Sequence, residues 1–196
     1  MIEKLKRDIC QLQTERLIIR QWKEDDNVPF AAMCADPNVM RYFPATLSED
    51  ESVQLAHKAT SLIQKNGWGF WAVERKDTGQ FIGLAGLHYQ DLDIPDTPFI
   101  EIGWRLAADQ WGKGFAPEAA QRALSYAFDE LQAPAVYAFT TLANQPSRRV
   151  MQKLGMSDCQ KNFMHPKLPH DHSLAEHCLY RITRQEWLML NTPDRL

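Results

Sequence analysis

The chain is poor in several features that would classify a protein at once. Its 196 residues include four cysteines, Cys10, Cys34, Cys159 and Cys178, and no two form a Cys-x-x-Cys pair. That argues against a disulfide framework or a zinc ribbon and for reduced thiols. No apolar run approaches the length of a membrane span. The opening residues, Met1-Ile-Glu-Lys-Leu-Lys-Arg-Asp8, carry charge where a secretory signal needs an apolar stretch. Neither sign of charge dominates: 22 Lys and Arg stand against 25 Asp and Glu, a net charge of -3 with no basic tail, so no nucleic-acid partner is expected. There is no Gly-x-x-x-x-Gly-Lys-Ser/Thr loop and no internal repeat. The expectation is a cytoplasmic protein with no membrane partner, built as one domain over 1–196. Its core spans 12–183, a leader spans 1–11 with Ile2, Leu5 and Ile9, and a C-terminal extension spans 184–196.

Hydrophobic period and punctuation then give an order of elements. Arg16 to Trp22 alternates apolar and polar residues as a first strand, and Glu24 to Ala35 reads as a helix broken by Asp36-Pro37. Ser48-Glu-Asp-Glu51 has the form of a capping box, and the helix it opens ends at Asn66-Gly67. Phe70 to Arg75 and Gln80 to Tyr89 form two strands around Lys76-Asp-Thr-Gly79, and Phe99 to Leu106 a further one. A helix from Pro117 to Leu131 carries Ala120, Ala123, Leu124, Ala127 and Phe128 on one face. The continuous apolar run from Ala135 to Thr141 suits a buried central strand. A short helix from Gln145 to Leu154, capped by Asn144 and stopped by Gly155, precedes two last strands near Met156 to Phe163 and Glu176 to Ile182.

The segment Trp104-Arg-Leu-Ala-Ala-Asp-Gln-Trp-Gly-Lys-Gly-Phe-Ala-Pro-Glu-Ala119 joins a strand end, a glycine turn and a helix start. Gly112 and Gly114 let the backbone approach an anion, and Pro117 suits the first helical position. Unpaired N–H donors and the helix dipole favour negative charge there, so the segment reads as a pyrophosphate cradle. It is not a dinucleotide fingerprint, because Pro117 stands where the third glycine or alanine belongs.

Trp111-Gly-Lys-Gly-Phe-Ala116 resembles the acetyl-CoA loop of the GNAT N-acetyltransferase superfamily, Gln/Arg-x-x-Gly-x-Gly/Ala, with Trp111 at its first position. The aromatic looks like the ribosomal-protein N-terminal acetyltransferase branch, which often writes Trp-Gly-x-Gly-Tyr-Ala-x-Glu-Ala. A second segment, Asn144-Gln-Pro-Ser-Arg-Arg-Val-Met-Gln-Lys-Leu-Gly-Met156, is similar to the family's Asn-x-x-Ser/Ala-x-x-x-x-x-Lys-Leu-Gly-Phe, with Met156 in place of the aromatic. The resemblance implies an α/β (α+β) fold. Its mixed, mostly antiparallel sheet has six to seven strands, splays between strands 4 and 5, and is flanked by about four helices.

The resemblance also implies acetyl-CoA as co-substrate, no metal, and a primary-amine acceptor, either a protein N-terminus or a small molecule. Trp104, Arg105 and Leu106 would lie along the pantetheine arm, and Trp111, Gly112, Lys113, Gly114, Phe115 and Ala116 around the pyrophosphate, with Asn144 and Ser147 near the arm and sulfur. Lys113 is either a charge at the phosphate edge or a solvated loop lysine. Glu101 is either the general base or a partly exposed strand glutamate. The tyrosine that many family members use to protonate the departing thiolate is Met151 here, so Ser147 is the substitute acid or else a first-turn serine satisfying a backbone donor. Tyr42, Phe43 and Trp68, next to turns, are candidates for the acceptor wall, and most other aromatics are assigned to the core. His165, with His170, His172 and His177, lies in a Pro-containing loop read as substrate-facing or solvated, without metal-ligand spacing. Asp91, Asp93 and Asp96 lack the rest of a calcium loop. A catalytically reduced acetyl-CoA-binding module is the competing function, and both a monomer and a homodimer fit the sequence.

Overall fold

The computed structural model describes residues 10–191. Ile2, Leu5 and Ile9 of the expected leader, and positions 192–196 of the expected extension, lie outside the described residues. The chain packs as two compact units. One comprises the residues up to Leu87 with Gly103–Ala123, and the other His88–Ile102 with the residues from Leu124 on.

In the first unit β1 (Leu12–Gln13) pairs with β2 (Leu17–Arg20), β2 with β3 (Phe70–Arg75) and β3 with β4 (Phe81–Gln90), all antiparallel. Leu17, Ile19, Trp71 and Val73 are fully buried, as the alternation of the strands requires. Three helices accompany these strands, α1 (Asn27–Ala35), α2 (Pro37–Met40) and α3 (Glu49–Asn66). The helix read over 24–35 begins as a 3-10 turn at Glu24–Asp26 and then continues as α1. The capping box of α3 is present: Ser48 Oγ accepts from Glu51 N at 3.3 Å, and Glu51 Oε2 accepts from Ser48 N at 2.7 Å. Gly67 ends α3 at φ 84°, where its N–H reaches Ile63 O at 2.7 Å, a conformation that favours glycine. The division between units falls inside β4, β5 (Phe99–Leu106) and α4 (Phe115–Asp129).

In the second unit β5 and β6 (Ala135–Thr141) run parallel and pair at Ile100 with Val136 and at Glu101 with Tyr137. β6 pairs antiparallel with β9 (Glu176–Thr183) from Ala135 to Thr141, and Val136 and Ala138 are buried, as expected of the apolar run. β7 (Ser157–Asp158) and β8 (Phe163–Met164) also pair with β9. The strand expected near 156–163 is therefore two short ones. Gln160 stands between them at φ 55°, its N–H donated to Asp158 Oδ1 at 2.8 Å, and this local turn breaks the extended backbone. Helix α5 (Gln145–Lys153) has Asn144 as N-cap, and the expected extension begins as α6 (Arg184–Asn191), anchored by Trp187 at 5.6 Å from the Phe128 ring.

The described residues thus hold nine strands and six α-helices in a mixed, mostly antiparallel arrangement. The counts exceed the expected six to seven strands and four helices because β1, β7, β8 and α2 are only two to four residues long, and α6 lies past the expected core. No described helix is long and apolar enough to cross a membrane.

Candidate active site

The glycine loop lies in the first unit and is exposed from Trp111 to Gly114. Gly112 and Gly114 adopt φ 73° and 83°, the left-handed region that side chains disfavour. A Cβ at Gly112 would meet nothing within 4 Å, so backbone conformation and not crowding selects glycine, and the loop has an open side for an anion. Helix α4 begins at Phe115, two residues earlier than expected. Pro117 is thus its third residue, where a missing N–H still costs nothing, and the N–H groups of Phe115 and Ala116 have no acceptor within the helix. These groups suit a pyrophosphate.

Trp111, half exposed, donates its indole N–H to Leu106 O at 2.9 Å and so ties the loop to the end of β5. The loop is also braced from β2. Arg16 donates to Lys113 O at 2.9 Å and to Glu118 Oε2 at 2.7 Å, and its guanidinium lies 4.5 Å from the centre of the Phe115 ring. Burial works against the Glu118 charge, but Thr14, the Arg16 backbone N–H and the Arg16 guanidinium outweigh it and hold its pKa below the ordinary value. Lys113 is exposed.

Also in the first unit, Tyr42 and Phe43 follow α2, and Trp68 lies between α3 and β3. Phe43 is 37% exposed and covers the Arg105 guanidinium at 4.1 Å, while Arg105 Nη1 donates to Cys34 Sγ at 3.3 Å. The Arg105 side chain therefore faces α1 and the aromatic segment after α2. Trp104 is half-buried and Leu106 buried. Tyr89, assigned to the core with most aromatics, is instead 53% exposed near the end of β4.

In the second unit, Glu101 accepts from Gln90 Nε2 at 2.9 Å. Gln90 is buried, and its Oε1 accepts from Asp91 N and Leu92 N, each at 3.1 Å. Those two donors orient the amide, leaving its NH2 for the carboxylate. Burial pushes the Glu101 pKa up to about 7 against the smaller lowering effect of Gln90. Among the described residues no charged partner compensates it.

Asn144 Oδ1 accepts from Ser147 N at 3.2 Å, and Asn144 Nδ2 donates to Thr140 Oγ1 at 2.9 Å. Asn144 thus performs the capping that Ser147 was considered for. Among the described residues the half-buried Ser147 hydroxyl has no hydrogen-bond partner, and Met151 is buried. His165 packs 4.9 Å from His177 and 6.0 Å from Phe139, and burial together with His177 holds its pKa down. Among the described residues no three His, Cys, Asp or Glu side chains gather as a metal site would require. Cys34, Cys159 and Cys178 form no disulfide.

Sequence reasoning missed Gln90, Arg16 and Thr14. Glu118 stood in the quoted resemblance at the Glu of Trp-Gly-x-Gly-Tyr-Ala-x-Glu-Ala, and that was the signal available for the brace.

Residues 16–157 match the family model described as an acetyltransferase (GNAT) domain. The YkkB protein of Bacillus subtilis is 31% identical over 147 residues, covering 74% of this chain and 84% of its own. The FsC-acetyl coenzyme A-N(2)-transacetylase of Aspergillus fumigatus is 31% identical over 173 residues, covering 81% and 70%. The crystal structure of a GNAT-family acetyltransferase from Bacillus anthracis superposes with a TM-score of 0.75 at 26% identity, covering 90% of this chain and 99% of that one. The chain belongs to the GNAT acetyltransferase family.

Proposed function

We propose that this GNAT-family acetyltransferase carries an acetyl group from acetyl-CoA to a primary amine, which attacks the thioester directly in a ternary complex. The observation that carries the catalytic reading is Glu101, a carboxyl group with no charged partner among the described residues, held by an oriented amide and with its pKa raised to about 7. A base with that pKa is half ionised near neutrality, where proton transfer from an amine is most efficient. The acceptor is a protein N-terminus or a small-molecule amine. An α-amine is neutral in roughly one molecule in ten at pH 7, and a lysine-like amine in about one in a few thousand. Glu101 is thus asked for more with the second kind.

The remaining residues take complementary roles. The first-turn N–H groups of α4 and the loop Trp111–Gly114 hold the pyrophosphate, with Lys113 at its edge, and the backbone of Trp104, Arg105 and Leu106 accompanies the pantetheine arm. Glu101 takes one proton from the attacking amine. Ser147 Oγ, without a hydrogen-bond partner among the described residues and held at the start of α5 by Asn144, gives one to the departing thiolate and regains it from water. Tyr42, Phe43, Trp68 and His165 contribute acceptor contacts. Free thiols at Cys34, Cys159 and Cys178 suit a reducing compartment, and we place the reaction in the cytoplasm.

Thiol release from acetyl-CoA, measured against a panel of amines and N-terminal peptides, tests this reading. Acceptor-dependent release that falls in Glu101→Gln and in Ser147→Ala supports it. Binding of acetyl-CoA without turnover of any acceptor would favour the binding module. Intact mass after acetyl-CoA alone is expected to show no acetylated cysteine.

A further inference from the structure

Resting on that reading, we infer that Arg105 is a receptor for an acceptor carboxylate, so that the amines this enzyme acetylates carry an acid group. A guanidinium has five N–H donors. Arg105 uses one of them, Nη1, on the weak acceptor Cys34 Sγ at 3.3 Å, and its Nε is buried with no partner among the described residues. No described carboxylate forms an ion pair with it. Burial lowers its pKa from the ordinary value, the mark of a cation held where charge is disfavoured.

A half-buried cation with a buried Nε and no described counter-ion is costly, and the ring of Phe43 at 4.1 Å offsets only part of that cost. The same unit shows what compensation looks like. Arg20 donates to Asp26 through two nitrogens at 2.7 and 2.9 Å and to Glu74 at 2.7 Å. Arg105 has no counter-ion among the described residues, and a ligand carboxylate would supply one. The fork of a guanidinium matches a planar carboxylate through two parallel hydrogen bonds. Access is from the Phe43 side, because Phe43 is 37% exposed whereas Cys34 is fully buried. The coenzyme phosphates are a poorer match: the loop read as their cradle is braced by Arg16, which contacts Lys113, Glu118 and Phe115. Arg105 contacts α1 and the segment after α2.

The test compares matched acceptors in thiol release: α-amino acids against their α-amides, and N-terminal peptides beginning with aspartate against asparagine. Rates are expressed per neutral amine. The wild-type enzyme is expected to favour the acid member of at least one pair by about 10–100-fold in kcat/KM, mostly through KM, the size of a charge-assisted hydrogen-bonded pair. The arm that responds identifies the source of the carboxylate. Arg105→Met should bring the ratio to about one and Arg105→Lys should restore part of it, with thermal melting checking that both fold. A wild-type ratio near one in both arms overturns the inference whatever the variants do, and so does a ratio that survives Arg105→Met in folded protein. If neutral amines are acetylated without preference, the inference fails while the acetyltransferase reading stands. If no amine is acetylated, both fail.

Discussion

Two arginines in one unit of this protein meet opposite surroundings. Arg20, at the end of β2, is 7% exposed and lies between Asp26 and Glu74. Burial works against its charge, but the hydrogen bonds and charges of these two carboxylates outweigh it, and its pKa is raised. Arg105, near the end of β5, faces a thiol and an aromatic ring, and burial lowers its pKa. One cation belongs to a closed structural network, and the other has no counter-ion among the described residues. Glu101 in the second unit repeats the second pattern with the opposite sign, since its partner Gln90 is neutral. On the proposed reading, the compensated charge of Arg20 serves the fold, whereas the uncompensated Glu101 and Arg105 are the groups assigned to chemistry and recognition.

Breaking each kind of site should have a different readout. The largest effect is expected from Glu101→Gln, which lowers kcat/KM by about 10²–10⁴-fold, the range of a lost general base, without loss of fold. Next is Asp26→Ala. It leaves Arg20 with one carboxylate and Lys23 N without its acceptor at 2.8 Å. The cost should be about 3 kcal/mol in denaturant unfolding, while acetyl transfer by the remaining folded protein persists.

A smaller effect concerns stability and pH. The Glu101 pKa is raised on folding from 4.5 to about 7. Below about pH 4 the group is protonated in both states and contributes nothing. Between about 4.5 and 7 the unfolded chain ionises more readily, so stability falls as pH rises, and above 7 the loss is constant. Glu101→Gln should therefore match wild type in acid and exceed it at pH 8 by roughly 2 kcal/mol, less than the full shift implies because Glu101 keeps some solvent access. Melting curves across this range check the sign. The smallest effect is expected from Gln90→Leu. Without the amide, burial acts on Glu101 alone, and the rising limb of kcat/KM should move upward by about half to one pH unit, recovering in alkali. A merely structural role for Gln90 would lower activity equally at every pH.

The residues that were legible in sequence share a local origin. The turns at Gly67, Gly112 and Gly114, the Ser48–Glu51 box, the Asn144 cap and the apolar run of β6 are set by neighbours within a few positions, so backbone sterics and short-range hydrogen bonds decide them. The break between β7 and β8 was not legible, because a left-handed Gln160 has no strong sequence signature. Nor was the start of α4 at Phe115, since Pro117 is tolerated anywhere in the first turn.

The chain's own order of residues thus determined the kind of fold, the place of the glycine loop and the identity of Glu101, Asn144 and Ser147 as candidates. Only tertiary structure decided what those groups meet. Arg16 and Glu118 are separated by 102 positions, and Gln90 and Glu101 by the loop between β4 and β5. That Arg105 receives no carboxylate from the described residues is a property of what packs around it. Whether a buried charge is neutralised depends on which distant side chains folding brings within hydrogen-bond reach, and no local pattern encodes that.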